Sequence, residues 1–433
     1  MNVNDSEKAA GLLEGEGMER VESAAGADVI FVNTCAVRER AAEKLFHAVG
    51  RYRTLKAQNP GLKIAVGGCV AQLQGKEIME RAPTVDVLVG THNLRDLPRL
   101  LAESTESGLS QSALDREADA FSIPADTVSH SSRTRAYVTV VEGCNHVCSF
   151  CVVPRTRGKE VCRSPESILQ EVRSLLDRGY NEIMLLGQTV NAYRFGDVDF
   201  PDLLRRVHDL DERLWRLRFT TSHPEHVDEK FARCFAELPR LAPYLHLPVQ
   251  SGADAILADM RRGYTAREYL QRLGLLRAYR GDLALTADVI VGYPGETEED
   301  FEATCRLVRE ASYDGLFVFL YSPRPGTTAI RRPDDIPEAE KKRRFKVLNE
   351  QQQRQQRLRH QSYIGRVEEV LVEEVKDGDC KGRTPHFRLV HFDAPTSFDV
   401  APGTRLDVKI TTAFPNSLRG RVEGGANARD PRR

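Results

Sequence analysis

No stretch of the 433-residue chain approaches the roughly 20 consecutive apolar residues that a membrane-crossing helix requires. The longest wholly apolar runs are short and strand-like. The opening MNVNDSEKAA has no basic start, apolar centre or small-residue cleavage site, so it does not read as a secretory leader. Charge of one sign is missing too: 62 Lys and Arg against 63 Asp and Glu leave a formal net charge of −1, which excludes a uniformly basic nucleic-acid coat. Nine cysteines, an odd count in a long chain without a leader, argue against a disulfide framework and for thiol ligation or buried free thiols. Together these absences predict a soluble cytoplasmic chain with no membrane partner.

The chain does have length enough for two or three domains, each with its own core. Its charge is also uneven. From Arg331 to Arg366 eleven Lys or Arg stand against five Asp or Glu. Such a stretch either engages phosphates or forms a solvated helix face.

Residues 1–104 alternate helical patterns with apolar runs at 28–35, 62–69 and 85–90, which predicts a small doubly wound parallel sheet whose first two strands end in Cys35 and Cys69. Residues 105–132 are rich in Ser, Ala, Asp and Thr without periodicity and read as a linker. From 133 to 362 the pattern of strand, polar loop and helix repeats six times, with strands near 136–142, 182–186, 215–220, 244–249, 283–291 and 315–321. Six such units predict a partial (β/α)6 barrel. Its loops GCNHVCSFC, GQTVNAY, TSHPEH, PVQSGAD, GYPGET and YSPRPGT then face one cavity at the carboxyl ends of the strands. Residues 363–427 carry short alternating runs broken by Gly, Pro and Asp, the pattern of a small all-β barrel.

The strongest chemical signal is VEGCNHVCSFCVVPRTRG, in which Cys144, Cys148 and Cys151 follow the first barrel strand in a C-x3-C-x2-C spacing. Three thiolates so placed can hold three irons of a cubane cluster and leave the fourth open to the amino and carboxylate groups of S-adenosylmethionine. A closed zinc site wants four ligands, and the only nearby fourth is His146, two residues from Cys144. Cys162, Cys234, Cys305 and Cys380 lack partners at ligand spacing and read as structural.

This motif, with Phe150 just before the third cysteine, resembles the radical-SAM superfamily. The stretches NVNDSE, VNTCAVRERAAEK, VGGCVAQ, LLGQTVNAY, FTTSHPEH, LHLPVQSGAD, DVIVGYPGETEEDF and YSPRPGT, in that joint order, resemble its methylthiotransferase family over nearly the whole length. TTSHP and LHLPVQSG look like the tRNA-modifying branch, and the last segment resembles a TRAM domain. The resemblance implies two 4Fe-4S clusters and S-adenosylmethionine as cofactors. It implies methylthiolation of carbon 2 of N6-isopentenyladenosine beside the anticodon, with the tRNA anticodon loop as partner and an electron donor such as a flavodoxin. One S-adenosylmethionine donates a methyl group to sulfur, and a second is cleaved reductively to the radical that activates carbon 2. Alternatives are threonylcarbamoyladenosine or a ribosomal-protein aspartate as substrate, or a non-catalytic iron–sulfur RNA-binding protein. No general acid or base is assigned, and a monomer is expected.

In the family three amino-terminal cysteines hold the auxiliary cluster. Cys35 and Cys69 match two of them; the third belongs to a strand just before the NVNDSE helix, where this chain begins. Either the native protein starts upstream of Met1 or its auxiliary cluster lacks a ligand, and the uneroded remainder of the pattern favours the first. Phe150, Gly187, Gln188, Gln250 and Ser251, on cluster-side loops, are candidates to hold S-adenosylmethionine, although Gly and Ser also dominate ordinary turns. For RNA the candidates are Arg155, Arg157 and Lys159 beside the cluster loop, the basic 341–359 helix, and Lys381, Arg383 and Arg419 in the last segment.

Overall fold

The computed structural model describes residues 1–36, 41–115, 121–395 and 399–423. No helix among them is long and apolar enough to cross a membrane.

The amino-terminal sheet has four parallel strands in the order Val29–Thr34, Lys63–Gly68, Val87–Val89, Gln111–Ala113. Its apolar runs are continuous because both faces are covered. Ile64, Val66 and Leu88 point to a core shared with helices Ala41–Gln58 and Cys69–Arg81, while Ala65, Val87 and Val89 point to another with helices Asn2–Gly15 and Leu97–Ser107. The expected linker is corrected in one respect: Gln111–Ala113, three residues too short and polar to show periodicity, form the fourth strand.

The central domain is the expected partial barrel. Two parallel half-sheets run Arg216–Thr220, Glu182–Leu186, Arg135–Thr139 and Tyr244–His246, Ala284–Val291, Gly315–Leu320, so that Arg135–Thr139 and Gly315–Leu320 are its two edges. Alternation sorts the strands. Ala136, Val138, Ile183, Leu185, Leu217, Phe219, Leu285, Ala287 and Val289 face outward into the main core with the helices. Their neighbours Arg135, Glu182, Arg216, Arg218, His246 and Asp288 therefore face the lumen.

Residues Val367–Val422 form a closed five-stranded barrel. Its Thr384–Arg388 loop plugs the floor of the central barrel, at the amino-terminal ends of the strands. There Glu182, fully buried, ion-pairs with Arg135, with Arg216 at 3.2 Å and with Arg218 at 3.2 Å. Arg218 donates to Thr384 O (3.0 Å) and Pro385 O (2.9 Å), and the Phe387 ring lies against the guanidinium groups of Arg218 (4.8 Å) and Arg383 (4.4 Å).

Candidate active site

The three-cysteine loop leaves the barrel mouth, opposite the floor, and is held along its whole length. Gly143 turns it with φ +77°, where a Cβ would come within 2.0 Å of Lys159 O. Cys144 N donates to Gly158 O (3.3 Å), and Val141–Glu142 pair antiparallel with Val161–Cys162. Between the second and third cysteines, Ser149 donates from its amide to Met260 O (3.1 Å) and from its hydroxyl to Asp259 O (2.8 Å), and accepts from Ala329 N (2.8 Å).

Each sulfur has a defined contact. Cys144 Sγ lies 3.3 Å from Thr189 Oγ1, Cys151 Sγ accepts from Val153 N at 3.4 Å, and Cys148 Sγ accepts from Arg262 Nη1 at 3.3 Å. Burial pushes the Cys144 thiol up and the Cys151 thiol up to about 12, so neutralisation by a metal suits them better than a free thiolate would. Among the described residues, a set of potential metal ligands whose donor atoms all lie within 4.8 Å of one another is formed by His146, His223, Glu225 and His226. The three cysteines are not in that set, and a closed zinc site wants four ligands where this loop supplies three thiols, the number that holds three irons of a cubane cluster.

The histidine set is a stack rather than a metal site. His146 and His223 lie parallel, 3.9 Å between centroids and 18° between planes, so their in-plane lone pairs run side by side and do not converge on one ion. His146 Nε2 and His226 Nε2 share a proton at 3.2 Å. Burial lowers the pKa of all three rings, and Arg262 adds to the effect at His146 and His223, keeping them neutral.

Around this loop the proposed nucleoside contacts are placed unequally. Gln188 follows strand Glu182–Leu186, and both its side-chain Oε1 and Nε2 are buried without a partner, as are Ser222 Oγ and His223 Nε2 on the next loop. Gly187 packs so tightly that a Cβ would meet Val141 and Val190 at 3.2 Å. Phe150 is half-buried against Ala253, Ile256, Met260 and Tyr293. Gln250 adopts φ +77° and is pinned through its backbone to Asp288 O and Ile290 N, both at 2.9 Å. Ser251 is fully buried, and its hydroxyl accepts from Ala253 N (3.2 Å) and meets Thr304 Oγ1 (3.4 Å), which is the work of a turn residue. Thr189, Ser222, His223 and Arg262 escaped the sequence reading; the signal for two of them was the polar TSHPEH loop after a barrel strand.

Cys35 and Cys69 follow the paired strand ends Thr34 and Gly68, side by side at the carboxyl edge of the amino-terminal sheet. Burial pushes the Cys69 thiol up; Arg157 opposes this, while Asp5 and Cys35 add to it. Arg157 is only 4% exposed and ion-pairs with Asp5 and, at 3.8 Å, with Glu142. The expectation that Arg157 touches RNA is therefore corrected: a buried guanidinium with two carboxylates clamps the amino-terminal domain to the cluster loop. Arg155 and Lys159 are exposed. Arg383 is committed to the floor, between Phe387 and Glu373 (3.3 Å). Lys381 pairs with Glu374, and exposed Arg419 pairs with Asp393 at 2.8 Å. In the basic helix, Lys341 and Arg344 are buried on Asp334 (2.6 Å) and Glu296 (2.7 Å) and offer nothing to a phosphate. Cys234, Cys305 and Cys380 are buried and Cys162 half-buried.

A six-stranded parallel partial barrel with three thiols on the first loop of its mouth defines the radical-SAM class, and residues 138–308 match the Radical SAM superfamily. Residues 1–90 match the group described as Uncharacterized protein family UPF0004, and residues 361–422 match the TRAM domain. The chain belongs to the tRNA-2-methylthio-N(6)-dimethylallyladenosine synthase family of radical-SAM methylthiotransferases, which carries with it a 4Fe-4S cluster and S-adenosylmethionine. The synthase of Chromobacterium violaceum is 47% identical over 431 residues, covering 97% of this chain and 96% of the relative. That of Neisseria gonorrhoeae is 46% identical, covering 98% and 97%, and that of Chromohalobacter salexigens 45%, covering 97% and 95%. Among solved structures, the radical S-adenosylmethionine methyltransferase TsrM from Kitasatospora setae shares the fold at TM-score 0.54 and 18% identity, over 75% of this chain and 73% of that one.

Proposed function

We propose that this protein methylthiolates carbon 2 of N6-isopentenyladenosine beside the anticodon of tRNA. The observation that carries the reading is the three-thiol loop at the barrel mouth, set in a chain that aligns over 97% of its length with a relative named for that product. When bound, the cluster and S-adenosylmethionine supply one-electron radical chemistry. Cys144, Cys148 and Cys151 hold that cluster. Gln188 and Ser222 offer buried, unpartnered polar atoms to the nucleoside, and the half-buried Phe150 closes one wall. Cys35 and Cys69 would contribute ligands to a second 4Fe-4S cluster, and the Arg157–Asp5 pair holds the amino-terminal domain against the three-cysteine loop. Arg155 and Lys159 meet phosphates of the anticodon loop, whose unpaired bases leave their stack at low cost. Lys381 and Arg419 extend the RNA contact along the terminal barrel. The protein works in the cytoplasm as a monomer and takes its electrons from a donor such as a flavodoxin.

The test is anaerobic reconstitution with iron, sulfide and dithionite, followed by mass spectrometry of an isopentenylated anticodon stem-loop. A methylthio adduct is expected on that RNA and none on its threonylcarbamoylated counterpart. The reverse pattern would move the chain to another branch, and cofactor intact in the presence of a full cluster would make it a binding protein.

A further inference from the structure

Arg262 is 5% exposed, yet no carboxylate pairs with it among the described residues. Its guanidinium is aimed by neutral groups: Nε donates to Tyr264 OH (2.9 Å) and Nη2 to Pro248 O (3.0 Å). Nη1 then points at Cys148 Sγ, 3.3 Å away. The backbone is shaped for this, since the preceding Arg261 sits in the left-handed region at φ +58°. A buried cation needs a negative partner. Among the described residues, the sulfur of Cys148 is the partner in hydrogen-bond contact that becomes negative, which it does when it ligates iron. The other two sulfurs meet uncharged groups: Cys144 the Thr189 hydroxyl and the His146 backbone amide, and Cys151 the Val153 amide.

We propose that Arg262 is a positioning residue that raises the reduction potential of the cluster through a charge-assisted hydrogen bond to the Cys148 sulfur. The inference rests on the reading of Cys144, Cys148 and Cys151 as cluster ligands. Hydrogen bonds to cluster sulfurs and nearby charge are established controls of iron–sulfur potentials. Reduction moves one electron from an external one-electron donor to the cluster. The donor is oxidised by one electron, the cluster gains one negative charge, and Arg262 keeps its proton. The fixed positive charge favours that state.

The experiment is an anaerobic redox titration of reconstituted holoenzyme followed by electron paramagnetic resonance, with iron and acid-labile sulfide measured on each sample. The Arg262→Gln variant is expected to load as much iron as wild type but to reduce with an equilibrium constant roughly tenfold lower, a shift of about 59 mV to more negative potential for one electron. Arg262→Lys, which keeps the charge but loses the forked geometry, is expected between the two. Thr189→Val is expected to shift less than Arg262→Gln. A fully loaded Arg262→Gln protein with wild-type potential overturns the proposal. If Arg262→Gln does not load, Tyr264→Phe decides: it frees the Nε anchor while the charge remains, and a loaded protein with a smaller shift of the same sign supports the tuning, whereas an unchanged potential overturns it. Full cluster content in Cys148→Ala would instead sink the underlying ligand assignment.

Discussion

The two ends of the same six strands are built on opposite rules. At the floor the buried charges are paired: Glu182 holds three arginines, Arg218 reaches two carbonyls, and the Thr384–Arg388 loop seals the lumen, although Arg218 Nε and Arg383 Nε lack a hydrogen bond there. At the mouth, the unpartnered buried atoms of Gln188, Ser222 and His223 are neutral, and the three thiols of one loop lie beside them. Paired charges stabilise the barrel, and neutral polar atoms without a partner are free to hold something else. The difference teaches where to look for chemistry in such a fold.

The largest contrast between the ends comes from Cys148→Ala, which is expected to abolish cluster-dependent product while leaving the urea midpoint of the unloaded protein nearly unchanged. Iron analysis and a denaturation curve on the same sample check both halves. The converse substitution is Glu182→Gln. It leaves three buried arginines facing a neutral amide and is expected to cost about 3–5 kcal/mol of stability in urea titrations, with the cluster spectrum unaltered. If it changed the cluster spectrum as much as stability, the two ends would not be independent.

The same residue makes a pH prediction. The three guanidinium groups hold the Glu182 carboxyl down to about 2 against burial, from an ordinary value of 4.5. A depressed folded-state value means that the stabilisation is complete above the unfolded value and is lost as pH falls from about 4.5 toward about 2. The stability gap between wild type and Glu182→Gln should therefore narrow across that window, as read by denaturation at a series of pH values. A smaller effect is expected at the mouth from Gln188→Ala. Loss of its hydrogen bonds, about 1 kcal/mol, should raise KM for S-adenosylmethionine roughly fivefold with stability unchanged. The smallest belongs to Arg155→Ala or Lys159→Ala, each expected to make the salt dependence of RNA affinity shallower by about 0.7 in log–log slope.

How much of this was legible in the sequence differs between the ends as well. The mouth is local in sequence: Cys144, Cys148 and Cys151 sit within one loop, and each βα loop announces itself by Gly, Pro and polar residues after an apolar run. The floor is not. Strand Arg216–Thr220 reads as a strand by alternation, but that its Arg216 and Arg218 face inward depends on Glu182 and on a loop 166 residues further on. Arg157 looked like an RNA contact because its partner Asp5 lies 152 positions away, and Arg262 was passed over because its sulfur lies 114 positions away. Local patterning specifies elements and turns; the fate of a charge is set by whatever packs against it.

The floor plug has a consequence for how the molecule is made. Phe387 and its neighbours are made after all six barrel strands, yet they complete the central barrel. Until they arrive, a nascent chain has Glu182 and its three arginines open to water, so the catalytic module reaches its final stability only after the Thr384–Arg388 loop has been made. Iron delivery to the mouth before that moment would find a scaffold still breathing at its base.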